Sequence, residues 1–436
     1  MGADVATVAA GAVKSEPELV ARGLRWVRAR LLGVLFAGQV LGGIATTAGL
    51  SVSSIAGADL GGSNSWSGVP GAINVLGAGV AALPLSRAMG RIGRRAGLVW
   101  GYSLGTLGGV LCAAAVWTNA LPLLLLGMLL FGVGNTSNQL ARYAAADTSP
   151  PSTRGRAISL IVWAATVGAL LGPTMFTTAE TLGQRLGLAA TGASYLLSVV
   201  AYALAGLLLL GALRPDPRRV AQLIGGGQPT AGAGGAARGL RELLSLPGVR
   251  LAIVGLTVSH LVMIAPSQLA PVLLRDHGHP MQVIGFVVAG HVAGMFAISP
   301  LTGVLCDRLG PPRVIVGGLF CLILAVLVAA TAPPSDAVLV GLGQSLLGVG
   351  WNFGFVASSA LLTSSVSREE QPTVQGLADL VMGVGAAAGT ALAGALLGGV
   401  GFSAMSLLVG ATLAAPLALL WWYRGSMFAL PSAVAR

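Results

Sequence analysis

Apolar positions along this 436-residue chain come in long unbroken windows, not in the short alternations of strands or the one-sided stripes of soluble helices. They fall near 31–54, 69–86, 96–117, 121–145, 155–178 and 189–213. After a polar break they resume near 249–273, 281–305, 312–331, 337–362, 373–397 and 402–423. A helix needs about 20 apolar residues to cross a hydrocarbon core of ~30 Å. Inside lipid a spanning segment satisfies its backbone polar groups only as a helix or a closed barrel. The pattern therefore predicts an all-α membrane protein with 12 transmembrane helices, six on each side of the break.

The break runs from Arg214 to about Gly248 and contains the stretch GGGQPTAGAGGAARG, whose composition is that of a flexible tether. Residues 238–250 (RGLRELLSLPGVR) predict a short amphipathic helix on the membrane surface, interrupted by Pro247. The expected organisation is an N-terminal tail (1–30), a first six-helix bundle (31–213), the linker (214–248), a second six-helix bundle (249–423) and a C-terminal tail (424–436).

Composition agrees. Hydrophobic residues make up 55% of the chain and charged residues 9%, and the mean hydropathy is +0.83. Soluble domains carry roughly a quarter charged residues, so a water-soluble enzyme is excluded. The net charge of +11 does not point to nucleic acid, because 23 of the 25 basic residues fall on the tails and on alternate loops or span ends. Only Arg185 and Arg275 lie on the other side. Such asymmetry marks the cytoplasmic face, which places both termini in the cytoplasm. The first thirty residues hold Glu16, Pro17 and Glu18 ahead of Arg22, Arg25, Arg28 and Arg30, unlike a cleavable signal peptide. Glycine, at 65 residues, is about twice its usual share, as close approach of membrane helices requires. Cys112, Cys306 and Cys321 lack paired spacing, and His277-Gly-His279 reads as loop polarity, so no disulfide framework or metal site is expected. No G-x-x-x-x-G-K-[ST] loop is present, so neither a nucleotide cofactor nor ATP-driven transport is expected.

The chain also repeats itself. Gly303-Val-Leu-Cys-Asp307-Arg308-Leu-Gly310-Pro-Pro-Arg313, after the eighth span, aligns with Ser86-Arg-Ala-Met-Gly90-Arg91-Ile-Gly93-Arg94-Arg95, after the second, at an offset of 217. Gly348-Val-Gly350 aligns with Gly132-Val-Gly134 at an offset of 216. Two matches at nearly one offset indicate duplication of a six-helix unit. Gly310 suits a tight turn, and Asp307 is placed to pair with an arginine or cap a helix start. Arg308 and Arg313 lie where phospholipid or a neighbouring helix end can be met. The plainer reading is that these arginines, with Arg91, Arg94 and Arg95, are cytoplasmic loop charges.

The G-x-L-x-D-R-x-G run resembles the signature of the major facilitator superfamily of secondary transporters. The first copy is degenerate, with Ser86 for the leading glycine and Gly90 for the acid. The resemblance implies two pseudo-symmetric six-helix bundles that alternate access to a central cavity. It also implies a cytoplasmic gate built from Gly303, Asp307, Arg308, Gly310 and Arg313 with Arg91 and Gly93. Asp147 and Arg154, seven apart, match an acid and an arginine that contribute to the family's cytoplasmic charge network. Gly168-x-x-x-Gly172-Pro173 is similar to a segment of the drug-antiporter branch, and equally to a generic face for close helix packing.

Ionisable groups at membrane depth are costly and point to function. Asp379 lies about six residues into the eleventh span, and Arg142 about a turn inside the cytoplasmic end of the fourth. In the family's fold these spans belong to opposite halves, so the two residues are expected in a charge network that rearranges during transport. Asp379 as an interfacial residue is the alternative. His260 and His291 offer proton exchange near neutral pH, or a plain interhelical hydrogen bond. Gln39, Asn135, Asn138, Gln139, Gln268, Gln344, Trp351 and Asn352 lie on helices that line the family's cavity. They predict a mostly apolar pocket with a few amides, or else amide bonding between helices.

The reading is a plasma-membrane secondary transporter of a small amphipathic molecule, working as a monomer in the lipid bilayer and coupled to protons, with efflux as the expected direction. Proton-coupled uptake or an uncoupled facilitator is the alternative, and a transporter-derived sensor or scaffold without flux is a second class. No cluster with catalytic spacing suggests an enzyme.

Overall fold

A computed structural model describes residues 3–63, 66, 68–186, 190–224 and 238–427. Residues 225–237, most of the glycine-rich stretch of the expected 214–248 linker, and the end of the C-terminal tail lie outside the described residues. The first half comprises α1 (Ala3–Gly61), α2 (Val69–Ile92), α3 (Arg94–Thr118), α4 (Leu121–Asp147), α5 (Arg154–Leu186) and α6 (Ala190–Ala212). Two short helices follow, α7 (Pro217–Ile224) and α8 (Leu240–Leu243). The second half comprises α9 (Pro247–Asp276), α10 (Met281–Phe296), α11 (Ser299–Leu309), α12 (Pro311–Thr331), α13 (Ala337–Ser364), α14 (Gln371–Gly410), α15 (Ala414–Trp422) and α16 (Arg424–Met427). Among the described residues, ten stretches are long and apolar enough to cross a membrane. With α5 and the stretch 371–400 they make up the twelve spans of the sequence pattern.

Three boundaries differ from the apolar windows, each for a local reason. The eighth span is two helices, because Pro300 near the start of α11 removes an N–H that a continuous helix would use. The eleventh span and the start of the twelfth run together as α14, with Gly401 inside it, whose φ of 79° turns the chain. In the linker, the amphipathic helix expected over 238–250 shrinks to the single turn α8. Pro247 does not end a helix but begins α9, where a missing N–H costs nothing. The stronger amphipathic element is α7, which buries Val220 and Ala221 and leaves Arg219 exposed. The first helix also starts well before residue 31.

Within each half, helices approach until their backbones touch, and the repeat shows where. A Cβ on Gly132 would sit 2.3 Å from the Asn74 carbonyl oxygen, and one on Gly77 would sit 2.1 Å from that of Leu129. In the second half a Cβ on Gly348 would sit 2.3 Å from the His291 oxygen, and one on Gly294 would sit 2.5 Å from that of Ser345. These pairs lock α2 to α4 and α10 to α13. The turns between α2 and α3, and between α11 and α12, also match. Gly93 (φ 101°) and Gly310 (φ 85°) each end a helix by donating N–H to the carbonyl four residues back.

Gly348→Val is expected to lower the detergent-solubilised protein's thermal midpoint and to cost about 1–3 kcal/mol, because backbone cannot withdraw from the added methyls. Val substituted at Gly285, where a Cβ meets nothing within 4 Å, should leave the midpoint within error.

A candidate transport site between the two halves

Where α1, α4 and α5 face α9, α10 and α13, a cavity of about 280 Å³ remains open. Its two walls differ in chemistry. The first half contributes amides and hydroxyls (Gln39, Thr46, Thr47, Asn135, Asn138 and Gln139) and, from α5, the aliphatic Ile161, Val162 and Ala165. The second half contributes His260, Met295, Phe296, Trp351 and Phe355. Trp351 stacks on Phe355 with centroids 4.7 Å apart and meets Phe296 edge-on at 5.7 Å. Its indole N–H donates to His260 Nδ1 at 2.9 Å. Asn138 Oδ1 accepts from the Tyr102 hydroxyl at 3.0 Å, which fixes that amide, whereas Gln39 Oε1 is buried without a hydrogen-bond partner.

Arg142, fully buried, also lines the cavity and joins the halves. It lies on α4, and its Nη2 meets Asp379 Oδ1 of α14 at 2.5 Å. The same guanidinium donates to Tyr143 Oη at 3.0 Å, to the Gln139 carbonyl at 2.5 Å and to Ser359 Oγ of α13 at 3.2 Å. It packs over the rings of Tyr143 and Phe355 at 4.3 and 4.4 Å. A buried guanidinium needs all its donors met and its charge balanced, and this one is supplied from both halves. Asp379 Oδ2, by contrast, is buried with no hydrogen-bond partner.

Further contacts between the halves lie towards the arginine-rich end, in two clasps. In one, α11 meets the start of α5: Asp307 accepts from Gly155 N–H (2.8 Å) and Arg156 N–H (3.2 Å), with the Arg156 side chain at 3.4 Å. Gly303 lets the helices touch, since a Cβ there would lie 2.1 Å from Ser159 Oγ and 2.8 Å from the Gly155 carbonyl oxygen. In the other, α2 and α3 meet the start of α14: Ser86 Oγ donates to the Pro372 carbonyl at 2.6 Å. There Arg94, buried, bridges Asp147 Oδ2 and Gln375 Oε1, each at 2.7 Å. A third tie secures the end of the linker, where Arg238 forks onto both carboxylate oxygens of Glu370 at 2.8 and 2.6 Å.

The structure sorts the residues singled out in the sequence. Gln39, Asn135, Asn138, Gln139, Arg142, His260 and Trp351 share the cavity, with Asp379 bonded to Arg142. His291 and Asn352 do not reach it. His291 Nδ1 donates to the Gln344 carbonyl at 2.8 Å, tying α10 to α13. Asn352 stitches the break between α10 and α11, accepting from Thr302 and donating to Ser299 Oγ and the Met295 carbonyl. Asp147 pairs with Arg94 while Arg154 Nε stays buried without a hydrogen bond. Arg91, Arg308 and Arg313 are exposed. Gly168 packs on the backbone of Gly43, 3.0 Å from a would-be Cβ. Beyond their helical backbone, Gly172, Pro173 and Gln268 lie outside the described residues. Arg94, Gln375, Phe355 and the Arg238–Glu370 pair carry the site without having been singled out for it. Arg94 is marked only by its place directly after the glycine turn. Among the described residues no group of three or more His, Cys, Asp or Glu is placed to hold a metal.

The chain belongs to the Major Facilitator Superfamily, whose profile matches residues 34–280 and 251–432. It is 32% identical over 396 residues to YdeG of Bacillus subtilis (strain 168), an uncharacterized MFS-type transporter, covering 91% of this chain and 92% of the relative. It is 26% identical over 381 residues to the riboflavin transporter RfnT of Brucella anthropi, covering 87% and 92%. The fold is similar to that of the proton:xylose symporter XylE, with a TM-score of 0.74 at 14% identity over 92% of this chain and 96% of that one. The protein is a multi-pass transporter of the plasma membrane.

Trp351→Ala should weaken substrate binding, seen as a raised KM at normal expression. Asn352→Ala should chiefly lower thermal stability, because it frees the polar groups that span the helix break. For the linker tie, hydrogen bonds from Arg238 hold the Glu370 carboxyl at about 2, below an ordinary 4.5, with Ser367 assisting and burial opposing. The tie is therefore fully present above pH 4.5 and is lost as the pH falls towards 2. Glu370→Gln should melt below wild type at neutral pH, and the gap should close over that acidic interval.

Proposed function

We propose that this protein is a proton-coupled secondary transporter that exports a small amphipathic molecule with a planar aromatic part. The observation that carries the coupling is the Arg142–Asp379 pair, buried beside the cavity and holding one half to the other. With Asp379 ionised, the pair offsets two desolvated charges and keeps this end shut. A proton taken on Asp379 Oδ2 removes the negative charge. Arg142 then keeps only first-half partners and Ser359, and the halves are free to part. Each proton thus alternates with a change of access, as two rocking bundles require.

The arginine-rich end is read as cytoplasmic, so the clasps at Asp307 and Arg94 describe an arrangement closed towards the cytoplasm. The two unlike walls support the substrate class: Trp351 and Phe355 offer a ring-stacking surface, and the opposite amides offer donors and acceptors. The relative named as a riboflavin transporter fits the same chemistry. Export is favoured by the Gly168 packing face and by a weakly charged cavity, whose lining includes one arginine and no carboxylate. Uptake is the second reading, favoured by nothing more than the reversibility of the same cycle.

The test is flux in proteoliposomes with a panel of planar aromatic compounds, riboflavin included, with and without an imposed pH gradient. Wild type should accumulate or release substrate in proportion to the gradient. Asp379→Asn should bind substrate yet lose the gradient dependence. Gradient-driven flux that survives unchanged in Asp379→Asn would remove the coupling role, and absence of flux for every compound would favour a sensor or scaffold.

A further inference from the structure

Five arginines converge at a second cavity, away from the transport site. About 740 Å³ in volume, it opens where the turn between α2 and α3 meets the end of α6 and the start of α7. Arg91, Arg95, Arg214, Arg218 and Arg219 line it together with Trp100. The lining includes one acid, Asp216, whose oxygens are already engaged by the backbone N–H groups of Arg94 (3.2 Å), Arg95 (2.9 Å) and Arg218 (2.8 Å). Gly93 makes that engagement possible, since a Cβ there would lie 2.6 Å from Asp216 Oδ2. None of the five guanidinium groups belongs to an ion pair found among the described residues. The structure has gathered five positive charges and used the only carboxylate of the wall for another purpose.

The rim is of a different kind. Trp100 of α3 is 66% exposed, and Leu210 of α6 is 45% exposed. Both helices span the membrane, so these outward faces meet acyl chains near the headgroup level, where tryptophan is at home. α7 closes the other side, with Val220 and Ala221 buried and Arg219 exposed. A cationic floor beneath an apolar open rim fits an amphiphile with a phosphate head. A soluble phosphate ester would match the floor and leave the rim unused.

We propose that this pocket binds the headgroup of an anionic glycerophospholipid, with its phosphate among the five arginines and its chains along Trp100 and Leu210. The bound phosphate relieves the mutual repulsion of the cations and steadies the turn at Gly93. The next residue in the chain, Arg94, forms the clasp with Asp147 and Gln375. The lipid therefore braces the arrangement in which this end of the transporter is closed.

Native mass spectrometry of the full chain in detergent tests the proposal, titrating phosphatidylglycerol and, separately, phosphatidylcholine with matched chains. Wild type is expected to retain one phosphatidylglycerol in preference to phosphatidylcholine, with retention falling as salt rises. Arg218→Gln/Arg219→Gln should weaken that retention by about tenfold or more, since each basic group near an anionic surface contributes about 1 kcal/mol. Arg241→Gln/Arg424→Gln, which removes the same charge outside the pocket, should leave it unchanged. Equal retention of the two lipids by wild type would overturn the proposal without recourse to any variant. So would undiminished binding in the pocket variant, or complete displacement of the lipid by glycerol phosphate at equal concentration, which would mark a site for a soluble anion.

Discussion

A charge placed between two apolar bundles must find its opposite there, because neither water nor lipid will offset it. Removing one partner of a buried ion pair costs about 3–5 kcal/mol, a large fraction of the whole stability of a folded protein. This constraint explains why so few of the chain's charges sit inside and why those that do connect separate helices. Arg142 finds acceptors on α4 and α13 and its counter-charge on α14. Arg94 joins α3 to α4 and α14. The contacts that hold the halves together are therefore the contacts most sensitive to a change of protonation or of solvent access. Stability and movement draw on the same few atoms.

The duplicated unit makes the divergence of its copies interpretable. At the offset of 217, Asp307 corresponds to Gly90 and Gly155 to Pro372. In the α11–α5 clasp the acid accepts the N–H of Gly155. In the other clasp proline occupies that place and has no N–H to give, so an acid at position 90 would lack the partner that Gly155 supplies to Asp307. Glycine there clears room instead, since a Cβ would stand 2.8 Å from the Pro372 ring. The degenerate first motif is a second solution to the same docking problem, one that relies on the Ser86 hydroxyl and the Arg94 guanidinium. Likewise Arg142 corresponds to Ser359, and the two matched positions touch each other. The repeat supplies the geometry, and charge is added to one copy only.

How far the sequence could be read depended on the range of the forces involved. Twelve spans and the midpoint division followed from apolar windows, because lipid imposes a length that any sequence must show. Side-chain direction was harder. Trp351 and Asn352 are neighbours on α13 and point about 100° apart, and of the two only one lines the cavity. Which one did was settled by Ser299 and Met295, some fifty residues away. His291 was turned to the Gln344 carbonyl by packing of glycine faces that no local pattern reveals. Asp147 and Arg154 match by spacing two members of a cytoplasmic charge network, and it is Arg94, from the turn before another helix, that reaches Asp147. Long-range pairing chose among candidates that local sequence left equal.

The bond between Trp351 and His260 has its own consequence. An indole nitrogen can only give its hydrogen, so Nδ1 of His260 must keep a free lone pair, and the ring's hydrogen must reside on Nε2. The imidazole beside the cavity is thereby fixed in one tautomer with a defined polarity. A second hydrogen on Nδ1 would set two N–H groups head to head and force the tryptophan out of its stack with Phe355. The aromatic wall thus fixes which ring nitrogen of this histidine accepts and which is left to donate. Any event that tilts the indole also changes what the imidazole is able to hold.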